Sequence, residues 1–146
     1  MTLTLQQQWL MENAQLLSDV FGDRQVVLDG SAWSFLIIHG FPLPENWRQT
    51  DSDLLIRIPD IATVFSVFPN HFYLPKGLTT IKGTKPAHYF ESADYNDLKE
   101  SGWARFSFHI KSGWQPALPC SEGTTFLDLL EKLHQGMYQA AEEAES

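Results

Sequence analysis

The sequence predicts an α+β fold: an N-terminal helix, an antiparallel β-meander, a long irregular segment, a short strand and a C-terminal helix. Two observations carry this. Apolar residues recur at helical spacing only near the two ends, and short β-rich runs bounded by turn signals lie together between them. Strands gathered between helices, instead of alternating with them, exclude a doubly wound parallel sheet.

Leu5, Trp9, Leu10, Leu16, Leu17, Val20 and Phe21 mark the first helix, and Gly22 supplies its stop. Residues 25–28 and 31–38 flank Asp29-Gly30, a strong hairpin signal. Gly40-Phe41-Pro42-Leu43-Pro44 reads as a rigid extended connector, because each proline restricts itself and its predecessor. Residues 54–58 form a strand ended by Pro59, and residues 70–74 another. From 75 to 101 the chain is irregular, with Gly77, Gly83, Pro86 and a charged run over 94–100; loops of this length are usually functional or mobile. Residues 103–110 alternate, with Phe106, Phe108 and Ile110 on one face and Arg105, Ser107 and His109 on the other. A helix over about 124–140 follows, buried along Phe126, Leu129, Leu130, Leu133 and Met137. Residues 141–146 are expected to be an acidic, frayed tail. With no repeats and no low-complexity linker, residues 1–146 read as one domain.

Ten Phe, five Trp and four Tyr in a chain that is 43% hydrophobic exclude intrinsic disorder. A net charge of −8 argues against nucleic acid or an anionic membrane surface as partner. The lone cysteine, Cys120, excludes an internal disulfide and any multi-cysteine zinc site. The start MTLTLQQQW lacks the basic region of a signal peptide, and no run approaches the ~18 apolar residues of a membrane span. A cytoplasmic protein is expected. Five histidines without HExxH or i, i+4 spacing give no metal site, and the absence of a nucleotide-binding glycine loop or a carboxylate pair gives no cofactor expectation.

Phe41-Pro42-Leu43-Pro44, Asp53-Leu54-Leu55-Ile56-Arg57-Ile58-Pro59 and Phe68-Pro69-Asn70-His71-Phe72-Tyr73 resemble the bacterial E2-like proteins of the ubiquitin-conjugating-enzyme superfamily. The likeness sharpens at Gly102-Trp103-Ala104-Arg105-Phe106-Ser107-Phe108-His109 and Trp114-Gln115-Pro116, where the chain is most similar to prokaryotic E2 family E. The resemblance implies an E2/UBC-like fold and a place beside an E1-like adenylating enzyme and a ubiquitin-like protein. It also places departures. In the eukaryotic enzymes the catalytic cysteine precedes the Trp of a Trp-Ser-Pro-Ala-Leu motif by eight residues; here eight residues before Trp114 stands Phe106, with Ser107 adjacent. The His-Pro-Asn element has no counterpart beyond Lys85-Pro86-Ala87-His88, and no Lys or Arg precedes Arg24 to form a basic E1-docking helix.

Ser107 is the candidate nucleophile, since the resemblance puts a serine and a histidine here. Acyl transfer to a hydroxyl needs a base and donors for the oxyanion. His109 is the nearest base and Arg105 the nearest cation, although an i, i+2 pair in a strand stands about 6.6–7 Å apart at the backbone, which keeps His88 open as another base. The alternative is that Ser107 and His109 are polar residues on an exposed strand face. Cys120 is the alternative nucleophile: near the N-terminus of the last helix its thiol would be acidified by the helix dipole. Trp103 and Trp114 read as packing residues. As a whole the chain reads as an E2-like component that receives or positions a ubiquitin-like protein, through a serine oxyester if it is catalytic. The alternatives are a catalytically inactive E2-fold binding module, a thioester carrier through Cys120, and a small-molecule enzyme outside conjugation.

Overall fold

Helix α1 (Leu5–Phe21) starts where Thr4 and Gln7 cap one another: the Thr4 hydroxyl accepts the Gln7 amide and the Gln7 side chain accepts the Thr4 amide. Six strands follow: β1 (Val26–Leu28), β2 (Phe35–Pro42), β3 (Asp51–Arg57), β4 (Phe72–Pro75), β5 (Tyr89–Phe90) and β6 (Trp103–Phe106). Helix α2 (Phe126–Glu145) closes the chain. The computed structural model describes residues 2–67, 69–93, 96–109 and 112–146. All strand pairs are antiparallel, in the order β1-β2-β3-β4-β6-β5. The expected α+β arrangement is the observed one, and its details differ in ways that local chemistry explains.

The hairpin between β1 and β2 turns through residues 29–34, not through Asp29-Gly30 alone. One carboxylate organises this loop: Asp29 accepts the amides of Ser31, Ala32 and Ser34 and the hydroxyls of Ser31 and Ser34. The predicted connector 40–44 begins inside β2. Phe41 and Pro42 pair with Ser52 and Asp51 beyond a register shift at which Gly40 adopts φ 72°. A proline is tolerated there because β1 pairs only with Leu36, Ile37 and Ile38, so nothing on that side needs an N–H from Pro42.

Within the irregular segment, β5 and an isolated bridge between Trp47 and Thr80 add order. Asn96 is fully buried; its amide donates to the carbonyls of Phe90, Glu91 and Trp103, and its oxygen accepts the Leu98 amide. β6 is shorter than the predicted 103–110. Its partner β4 begins at Phe72, opposite Phe106, and past that pair the ladder has no second strand. Ile110, Phe68 and Asp94 lie outside the described residues. α2 runs beyond the predicted 140 to Glu145, where Ala141 is buried, His88 bonds Glu143 at 2.9 Å and Lys82 lies 3.9 Å from Glu145.

The core lies between both helices and one sheet face. Leu36, Ile38, Leu54, Ile56, Phe72, Leu74, Ala104 and Phe106 supply the sheet side, and Trp9, Leu10, Leu17, Phe126, Leu129, Leu133 and Met137 the helices. The Trp9 ring meets Phe65, Trp114 and Phe126 edge-on at 6.0, 5.6 and 5.2 Å, contacts worth roughly 0.5–1.5 kcal/mol each beyond area burial. Trp114 and Trp103 accordingly sit in or against the sheet and core, with the Trp114 indole donating to the Val64 carbonyl at 2.9 Å. Asn13, fully buried on α1, accepts the Phe126 amide at 2.8 Å, so the first helix caps the last. Among the described residues no helix is long and apolar enough to cross a membrane.

Two outcomes follow from this packing. A Cβ at Gly136 would lie 2.7 Å from the Phe108 ring. Gly136→Ala therefore lowers stability in urea by about 1–3 kcal/mol through overpacking, although alanine is the better helix former. The Ser34 hydroxyl, followed by the Ser34 and Ala32 amides, holds the Asp29 carboxyl well below its usual range. A depressed carboxyl stabilises the fold above its unfolded value of 3.8, and that stabilisation is lost as pH falls below it. Asp29→Asn should flatten the loss of stability below that pH in acid-denaturation curves.

Candidate active site

The predicted residues meet where the β4–β6 ladder ends. Beyond Phe106 the Ser107 amide still donates to the His88 carbonyl, at 2.8 Å. Phe108 turns inward, its ring 6.0 Å from that of Phe72 and seated over Gly136. Ser107 and His109 are thereby left on the other side. Freed from the flat geometry of a paired strand, His109 folds back so that its Nε2 lies 3.3 Å from Ser107 Oγ. The i, i+2 spacing that is awkward in a strand is closed by leaving the strand. On the far side of the ring, His109 Nδ1 lies 3.3 Å from the side-chain nitrogen of Asn70. Serine, histidine and asparagine thus form a chain, half-buried at Ser107 and exposed at His109.

Arg105 reaches this chain from behind. Its guanidinium donates to the Asn70 carbonyl at 3.1 Å and to the Tyr73 hydroxyl at 3.4 Å, and lies 5.4 Å from the centroid of the Tyr73 ring. The Tyr73 hydroxyl in turn donates to Asp97 at 2.6 Å, and Asp97 pairs with Arg57. Arg105 therefore fixes the segment that carries Asn70 through two of its three guanidinium nitrogens.

His88, the other candidate base, offers Ser107 only its backbone carbonyl; its ring is bonded to Glu143 on α2. Its φ of 61° is unusual for a residue with a side chain and aims the carbonyl at the Ser107 amide. His71 lies beside the chain. Burial above all, then Arg105, Arg57 and His109, hold its imidazole below the usual value, favouring the neutral ring. A cavity of about 160 Å³ is lined by Pro69 and His71, the sequence neighbours of Asn70, together with Ile58, Val64 and Val67.

Cys120 is placed elsewhere. It lies in a short 3-10 turn, Cys120–Glu122, with its amide donated to Glu12 of α1 at 2.8 Å. The dipole expected to acidify it belongs to α2, whose cap is Thr125, bonded reciprocally to Asp128. Only 6% exposed, the thiol is instead pushed up, first by burial and then by the Glu12 carboxylate. Asn70 is the residue that sequence reasoning leaves without a role, although it stands in a quoted motif; its 39-residue separation from His109 hides the contact. Among the described residues no three His, Cys, Asp or Glu side chains are grouped to hold a metal ion.

The burial of Cys120 has a direct readout: alkylation by iodoacetamide at neutral pH should be slow in the native chain and become complete in denaturant. The comparisons with known proteins bear on the whole span that builds the site. A family model for prokaryotic E2 family E matches residues 11–135. No curated protein and no solved structure matches the chain. The matched residues include most of α1, the whole sheet, Asn70, Ser107, His109 and α2 up to Gln135, and on this match the chain belongs to prokaryotic E2 family E.

Proposed function

We propose that the chain is an E2-like acyl carrier in a ubiquitin-like conjugation pathway, loaded by an E1-like enzyme on Ser107. The observation that supports this reading is the 3.3 Å contact between Ser107 Oγ and His109 Nε2. A hydroxyl, unlike a thiol, does not ionise usefully at neutral pH and needs a base in contact with it. In the proposed step Ser107 Oγ attacks the carbonyl of a thioester that joins the ubiquitin-like C-terminus to the E1-like enzyme. The Oγ–C bond forms and the C–S bond breaks. The hydroxyl proton passes to His109 and from there to the departing sulfur, leaving an oxyester and a free thiol. Attack by an acceptor amine on the oxyester then releases the Ser107 hydroxyl. Cys120, buried and held neutral, takes no part.

One observation favours the alternative, a catalytically inactive E2-fold module that binds the ubiquitin-like protein or the E1-like enzyme. Two Arg105 nitrogens are engaged by Asn70 and Tyr73, and the Ser107 amide by His88, so these donors are already occupied.

Incubation with an E1-like enzyme, its ubiquitin-like protein and ATP separates the two. The carrier reading expects an adduct resistant to reductant, cleaved by hydroxide and absent in Ser107→Ala, with His109→Ala slowing its formation by about 100-fold or more. An adduct that survives Ser107→Ala overturns it. Binding without any adduct supports the inactive module, and a reductant-labile adduct lost in Cys120→Ala supports a thioester carrier.

A further inference from the structure

We infer that Asn70 is a positioning residue for His109, whose side-chain amide orientation selects the ring nitrogen that carries the proton and hence whether His109 donates to Ser107 or accepts from it. The consequence for transfer rests on the carrier reading above; the coupling between Asn70 and His109 does not.

The geometry dictates the coupling. A neutral imidazole has one N–H and one lone pair, on opposite nitrogens. With the Asn70 side-chain nitrogen facing Nδ1, the amide donates, so Nδ1 must accept and the proton sits on Nε2. His109 then donates from Nε2 to Ser107 Oγ, the resting arrangement, in which the ring cannot take the serine proton. Turning the amide by half a rotation exchanges two groups of nearly equal size and brings the oxygen to Nδ1. The proton now resides on Nδ1, Nε2 presents its lone pair, and the Ser107 hydroxyl donates to it. No heavy atom of the serine or histidine has to move.

The segment is built for this. Arg105 holds the Asn70 backbone through its carbonyl, leaving the side chain to rotate about a fixed pivot. The Arg57 amide donates to the His71 carbonyl at 2.9 Å, fixing the next residue as well. His71, next to Asn70 in the same segment, is coupled electrostatically to His109, and His71 in turn feels Arg105 from β6 and Arg57 from β3, whose partner is Asp97. Among the described residues the hydrogen-bond partners of the His109 ring are Asn70 at Nδ1 and Ser107 at Nε2, with no carboxylate among them, so an uncharged amide is what sets the tautomer.

The test is ¹⁵N NMR of the imidazole rings in the full chain, as wild type, Asn70→Asp and Asn70→Ala, with the adduct assay run in parallel. Asn70→Asp can only accept, so it should move the neutral-ring proton of His109 to Nδ1, accelerate adduct formation and carry the acid limb of its pH profile upward. Asn70→Ala should shift the His109 ring signals without that preference for Nδ1 and slow adduct formation by about 100-fold, the lower end of what a positioned base supplies. Loss of folding alone would alter neither the tautomer in one direction nor the pH limb, and far-ultraviolet circular dichroism checks it. Identical His109 signals in all three proteins would overturn the inference. Signals that move as expected while no protein forms an adduct would uphold the positioning role and reject the carrier reading.

Discussion

The seating of Phe108 against Gly136 is the contact from which the candidate site takes its shape. Strand alternation means that one residue turned inward turns both its neighbours outward. Phe108 enters the space left by a helix residue with no side chain, and Ser107 and His109 are presented together on the opposite side. How far the ring enters depends on the depth of α2. That depth is set by its apolar stripe and by two side chains from the β2–β3 connection, the Trp47 indole on the Met137 carbonyl at 2.9 Å and Asn46 on the Tyr138 carbonyl at 3.0 Å. The histidine–serine separation is therefore coupled to helix packing on the far side of the sheet.

The chemistry proposed for the site is shaped by what an oxygen nucleophile requires. A thiol near a positive helix end can ionise without help, and a carrier that uses one needs little beyond access. A serine hydroxyl needs its proton taken during attack, so base, nucleophile and the group that orients the base must be in register before the donor arrives. The chain Asn70–His109–Ser107 lines up these three groups, and the turn of the Asn70 amide decides whether the base is ready. It is assembled from both sides of a strand pair that has just ended, where backbone hydrogen bonding no longer dictates where the side chains stand.

Local signals were legible in the sequence wherever local physics decides. The apolar spacing from Leu5 to Phe21 and the glycine after it place α1 to the residue. The alternation at Phe106 and Phe108 gives the correct inward face. Ends that depend on a distant partner were not legible: β6 stops at Phe106 because β4 starts at Phe72, a fact of register between segments thirty residues apart. The same blindness hid Asn70, and it made the Ser107–His109 contact look harder than it is, since a paired strand was assumed where the pairing has ended. For Cys120 the correcting signal was present and local. Thr125 followed by Asp128 at the third position is a helix-capping pattern, and it fixes the N-cap of α2, with its dipole, five residues past the cysteine.

Asn96 carries a consequence for the ageing of the molecule. Its amide faces three carbonyl oxygens, and only an N–H donor can face them without repulsion. Hydrolysis of that amide to a carboxylate, the commonest spontaneous damage to asparagine, would set an anion against the same three oxygens at the junction of β5, β6 and the segment between them. Complete burial keeps water from the amide while the fold is closed. Damage at this position is then favoured in open chains, and a chain so altered closes again only against the repulsion of those oxygens.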